Sequence, residues 1–162
     1  MNIDFNFYKN IWIENTETNH EHGGYEWELG TCLWSPTKNR SGADSYSLMR
    51  EPKPGDLVIH FVKADDIVGK DRGKRYLCGF SYVEKSYITT SNEPPIADKW
   101  SGFKEYYKIP LKNFKKFSNT IFIEELLETY KNEIIIEIKN NDPKKYPFHF
   151  SDKLGLKLNQ GM

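Results

Sequence analysis

The sequence predicts a single α/β (α+β) domain over residues 1–162, and three observations carry that expectation. Residues 33–60 read as a tryptophan at a bend, a short capped helix, a tight turn and a buried strand. Strand-type runs, rich in aromatic and β-branched residues, lie on either side at 5–13, 76–83 and 106–111. Between 122 and 138, Phe122, Leu126, Leu127, Tyr130, Ile134, Ile135 and Ile138 recur at steps of three and four, which marks one face of a helix. Ile134-Ile135-Ile136 keeps a strand open there as the alternative.

Taken in order, the section around Trp12 is a good first strand. Residues 15–24 are polar and close on Gly23-Gly24, a loop. His20-Glu21-His22 within it invites a metal, but no third ligand is recognisable and a solvated loop accounts for it. Tyr25-Glu26-Trp27-Glu28-Leu29 alternates aromatic or apolar with acidic residues, predicting a half-exposed strand or ordered edge that leads into Cys32-Leu33-Trp34. Ser35-Pro36 cannot extend a strand cleanly, so the chain turns just after the indole. Asp44 or Ser45 can cap the short helix, and Lys53-Pro54-Gly55-Asp56 stops it, with Asp56 bonding the turn's own backbone. Residues 57–62 then read as an interior strand. The charged loop 63–74 has glycines at 69 and 73 but lacks the Lys-Ser/Thr ending of a phosphate-binding loop. Beyond 76–83 the chain stays extended through 87–90, loops at Ser91-Asn92-Glu93-Pro94-Pro95, and returns through Trp100-Ser101-Gly102 into the strand at 106–111.

Composition narrows the function classes. Lys+Arg and Asp+Glu both number 23, so the formal charge is zero. A strong non-specific nucleic-acid binder, whose affinity comes from neutralised phosphates, is disfavoured, whereas a local basic face is not. Aromatic residues are high at 15%; most suit the core, and an excess of Trp and Tyr is also what a stacking site requires. The two cysteines, Cys32 and Cys78, make neither a disulfide framework nor a metal set, and each lies in an apolar context that suits a buried thiol. Neither a signal peptide nor a membrane-length apolar run is recognisable, and a cytoplasmic location is expected.

The succession of a Trp34-Ser35 bend, a short helix, the Lys53-Pro54-Gly55-Asp56 turn, a hydrophobic strand and a second strand bearing Gly79-Phe80 resembles the PUA-like superfamily. Its EVE and YTH-like branches, which read modified bases, are the most similar. The resemblance runs from about residue 11 to residue 107 and continues loosely to Leu156-Lys157-Leu158-Asn159-Gln160-Gly161, which is similar to the family's closing strand. It implies a bent, mostly antiparallel β-barrel or sheet with flanking helices. It also implies the N-terminal part of a longer protein, like the targeting domains of McrB-type modification-dependent restriction systems, with nuclease and GTPase carried elsewhere.

The same resemblance matches Trp34 and Trp100 to the two walls of an aromatic cage. A flipped base offers about 1–3 kcal/mol of stacking per aromatic contact, against a few kcal/mol to unstack and unpair it. One ring barely balances that cost; two can exceed it. On their residue types alone both indoles suit a hydrophobic core equally. Asn15, at the end of the first strand, offers donor and acceptor together to a base edge, and equally suits a turn. Ser35 can add a backbone N–H or hydroxyl. Lys38, Arg40, Lys70, Arg72, Lys74 and Arg75 are candidates for phosphate contacts, or else a solvated charged surface. His60, on a central strand without a nucleophile motif, reads as hydrogen-bonded core.

The expected function is therefore non-catalytic: binding DNA, with RNA as an alternative, through a flipped and modified base. No cofactor or metal is called for, and an effector domain or partner subunit is implied. Two rivals stand beside it. One is a small nucleotide- or nucleic-acid-acting enzyme of the ASCH type, which requires a convergent acid/base or metal set. The other is a protein-interaction module built on the aromatic surface.

Overall fold

The computed structural model describes residues 10–17, 26–63, 74–95, 101–130 and 132. The chain divides into two compact units, Met1–Glu124 and Glu125–Met162. Every described strand belongs to the first: β1 (Ile11–Glu17), β2 (Cys32–Pro36), β3 (Leu57–Lys63), β4 (Arg75–Val83), β5 (Ile88–Thr90) and β6 (Tyr106–Phe122). They form one mixed sheet in the order β1-β3-β4-β6-β2, with β5 also on β6. Only the β1–β3 pair is parallel; the rest are antiparallel. The strand-rich, curled sheet agrees with the expected architecture.

β3 is the apolar, β-branched run foreseen from the sequence; β1 and β4 pair with its two edges, and residues on both its faces are buried. The turn before it is held by Asp56. Its carboxylate accepts the Lys53 amide N–H at 2.9 Å, as expected of a turn aspartate, and also the Trp12 indole N–H at 2.8 Å. The second bond ties the turn to β1 and satisfies a buried donor that would otherwise be costly. Curling brings the ends of the strand order together, so Trp12 of β1 and Leu33 of β2 share one core with Val58, Val83, Ile109 and Leu111.

β6 runs beyond the expected end at residue 111, and it changes partners on the way. Residues 106–110 pair with β2, and 106–108 of them also with β5, while 111–122 pair with β4. Two register slips against β4, with Asn113 at a φ of 55°, mark bulges that bend the strand. Bulges also scramble the two-residue alternation, which hides this half of the strand in the sequence. Phe117 and Phe122 fasten it to β4, with ring centroids 5.8 Å from Phe80 and 6.3 Å from Tyr76.

Four local expectations change. Ser35 and Pro36 extend β2, pairing with Tyr107 and Tyr106, so the bend comes at Thr37-Lys38 rather than just after the indole; a proline is tolerated as the last residue of a strand. Residues 26–31 form turns rather than a strand, since Glu26 and Gly30 take left-handed φ values of 74° and 78°, which no strand accommodates. The short helix is a single 3-10 turn, Ser47–Arg50, with no side-chain cap. Asp44 instead pairs with Arg50 at 3.0 Å, and Ser45 Oγ accepts from Asn39 Nδ2. The helical run begins as α1 (Ile123–Thr129), and its members beyond residue 132 lie outside the described residues, as do His20, His22 and 156–162. Among the described residues no helix is long and apolar enough to cross a membrane.

Cys32 and Cys78 are both buried free thiols. Burial pushes the Cys32 thiol from 9.0 up to about 11, with the Lys108 ammonium opposing. The neutral thiol is thus the form the fold favours. Its contribution to stability is intact below about pH 9 and is lost as pH rises toward 11. Maleimide labelling at pH 8 should therefore run on the order of 100-fold slower at Cys32 than in the unfolded chain, following the smaller thiolate fraction. Equal rates in the two states would contradict this.

Candidate nucleic-acid interface

Two turns far apart in sequence meet at the start of β6. Pro36 of β2 pairs with Tyr106 of β6, and the Thr37 amide donates to the Glu105 carbonyl at 3.0 Å. The bend after Pro36 and the turn at Ser101-Gly102 are thereby laid side by side. Between them opens a cleft of about 440 Å³, with Lys38, Asn39 and Arg40 on one wall and Gly102, Phe103 and Lys104 on the other. That size lies within the ordinary range for small-ligand sites.

The loop wall is built by Asn39. Its Oδ1 accepts the Ser41 amide at 3.0 Å and the Ala43 amide at 2.9 Å, and its Nδ2 donates to Ser45 Oγ at 2.8 Å. An asparagine that replaces backbone partners in this way pre-sets a loop. The flanking cations are consequently presented from a defined backbone. The Arg40 guanidinium stands 5.2 Å from the centroid of the Phe103 ring, within cation–π range. Phe103 in turn packs edge-on to Tyr106. Burial holds the Tyr106 phenol above its ordinary range, reinforced by the nearby Glu93 carboxylate, while the Phe103 amide bond opposes the shift.

Trp34 does not line this cleft; it sits in a buried cluster with Trp27, Cys32 and Tyr106, against which the lining residue Phe103 packs. Trp34 is 8% exposed. Its indole N–H donates to the Glu26 carbonyl at 2.7 Å, and Tyr106 meets it edge-on at 6.5 Å. Lys108, its cross-strand partner, places Nζ 5.1 Å from the ring centroid and 2.5 Å from a Glu26 carboxylate oxygen. Ser35 is buried, its hydroxyl donating to the Pro36 carbonyl at 3.2 Å. Trp100, Lys70 and Arg72 lie outside the described residues.

No family model matches the chain, and no curated protein does. Among solved structures it is similar to the N-terminal domain of Staphylothermus marinus McrB, at 15% identity and a TM-score of 0.46, over 83% of this chain and 95% of that one.

The other expected contacts are dispersed. Asn15 is exposed on β1 and is not among the residues that line the cleft. Lys74 and Arg75 stand where β4 begins, beside the far end of β6; Lys74 Nζ lies 5.3 Å from the Phe122 ring centroid. Of the six phosphate candidates, the cleft collects Lys38 and Arg40. Phe103 and Lys104 were not singled out from the sequence. The Ser101-Gly102 turn was the available signal, but its pairing with residues 36–37 exists only in three dimensions.

A second polar assembly crosses β1, β3 and β4. His60 is fully buried; Nδ1 lies 2.5 Å from Glu14 Oε2 and Nε2 lies 2.6 Å from Ser81 Oγ. The order carboxylate–imidazole–hydroxyl is that of a nucleophile triad. Yet Ser81 is itself fully buried, so its oxygen meets no substrate while the strands stay paired. Here the chain of bonds satisfies polar groups between strands, as expected for a core histidine. Among the described residues no group of acidic, histidine or cysteine side chains could hold a metal ion.

Proposed function

We propose that this chain is a non-catalytic nucleic-acid reader that receives a flipped, modified base at the cleft between residues 37–42 and 102–105. The observation that carries the reading is the cleft itself: cations on a pre-set loop and, opposite them, the Phe103 ring, which packs against the buried cluster that holds Trp34. Arg40 and Lys38 suit the phosphates flanking the base. Phe103 offers a ring face, and Trp100, two residues before Gly102, supplies the second wall of the cage. Stacking a base on Trp34 requires Lys108 to leave the ring face it covers, a side-chain change of the kind binding commonly brings. DNA bearing a methylated base is the proposed ligand, and an effector domain or partner subunit is proposed to use the recognition.

A panel of duplexes, each carrying one modified base, tests the reading. The parent should prefer one modification over the unmodified duplex. Trp34→Ala and Trp100→Ala should each weaken that binding by about 1–3 kcal/mol, roughly 5- to 150-fold. Lys38→Ala/Arg40→Ala should weaken binding to modified and unmodified duplexes alike. Unchanged affinity in either tryptophan variant removes that residue from the cage. A parent that shows no preference across the panel ends the proposal.

A further inference from the structure

We infer that the exposed stretch of β6 comprising Lys112, Asn113, Lys115, Lys116, Ser118 and Asn119 is a second contact surface, one that takes the phosphodiester backbone of a duplex. This rests on the nucleic-acid reading above and adds a surface outside the cleft. The chain as a whole is neutral, but neither β4 nor β6 contains an aspartate or glutamate. Positive charge on these strands is therefore not neutralised from within the ladder: Lys112, Lys115 and Lys116 face Tyr82, Phe80 and Gly79 in register. Lys108 differs, being paired with Glu26.

All six side chains are exposed. In an unbroken strand, neighbours such as Lys115 and Lys116 would point to opposite faces. Here they do: Lys115 and Lys116 pair with Phe80 and Gly79 in unbroken register, between the two slips, so they flank the open edge of the strand from its two faces, and both are exposed. Asparagine and serine side chains commonly bond phosphate oxygens, so the stretch combines charge with neutral donors. It begins where β6 leaves the cleft strands and ends beside Lys74, itself against the Phe122 ring. A backbone lying along it would link the cleft to the cations at the start of β4.

The rival explanation is protection of an open edge. Among the described residues no strand pairs with the second edge of 112–122, and lysines and bulges are common devices against edge-to-edge association. The two accounts differ in what the lysines do to binding. The full chain carrying Lys112→Gln, Lys115→Gln and Lys116→Gln is compared with the parent on an unmodified duplex, in DNA and RNA arms, from about 50 to 200 mM salt. Backbone contact predicts that the slope of log Kobs against log salt shrinks by about 0.9 per lysine on DNA. The ratio of modified to unmodified affinity should stay fixed, and the triple Lys→Arg variant should restore the slope. Loss confined to one arm identifies the backbone, DNA or RNA, that this surface takes. An unchanged slope in both arms overturns the inference and leaves the cleft reading standing, and self-association of the glutamine variant alongside it would assign the lysines to edge protection. A parent that binds no duplex, modified or unmodified, overturns both.

Discussion

His60→Ala should lower the unfolding free energy by about 3–4 kcal/mol, read as a shifted midpoint in urea denaturation. Two contributions add. The imidazole fills space in a fully buried position against the Phe114 ring, with centroids 5.5 Å apart, and its removal leaves a cavity. It also leaves the Ser81 hydroxyl without its partner in the interior, and deprives Glu14 of the group that its carboxylate meets. Ser81→Ala, which removes one of these bonds and creates little space, should cost only about 1–2 kcal/mol. A loss below about 1 kcal/mol for His60→Ala would mean that water replaces the ring readily. The enzyme reading makes a different prediction, a hydrolytic activity lost in Ser81→Ala while that variant stays folded.

Gly79→Ala is expected to cost about 3 kcal/mol for a related reason. Gly79 lies opposite His60 on β4, where the imidazole and the Phe114 ring crowd the ladder. A methyl at Gly79 would stand 3.0 Å from Lys116 Cα and 3.0 Å from Phe114 Cε2, and would press still closer on the Lys115 carbonyl oxygen. Two of those three atoms are backbone, so no rotamer change relieves the contact. The β4–β6 ladder must open. Loss of amide protection along residues 112–117, measured by hydrogen exchange, should accompany the fall in stability. A variant of parental stability would show that β6 moves aside freely.

The fold was legible where each residue's environment follows from near neighbours. β3 declares itself by unbroken apolar and β-branched residues, and Asp56 by its place after Pro54-Gly55. Legibility failed where backbone conformation broke a pattern. The alternation at 25–29 suggests a strand, yet Glu26 and Gly30 turn the chain with left-handed φ. Residues 112–122 conceal a strand because bulges disrupt its alternation.

For the candidate site the division is sharper. Residue types and order by themselves determined that a tryptophan precedes a bend, that cations follow it, and that a second tryptophan precedes a glycine turn. Only tertiary structure decided that these segments adjoin, since the Pro36–Tyr106 pairing joins residues seventy apart in number. It also decided that Phe103 faces Arg40, that Lys108 covers Trp34, and that His60 is satisfied from two neighbouring strands. The physical reason is that a side chain's chemistry is carried by its own atoms, whereas its partners depend on strand register, and register is set by the burial of the whole sheet.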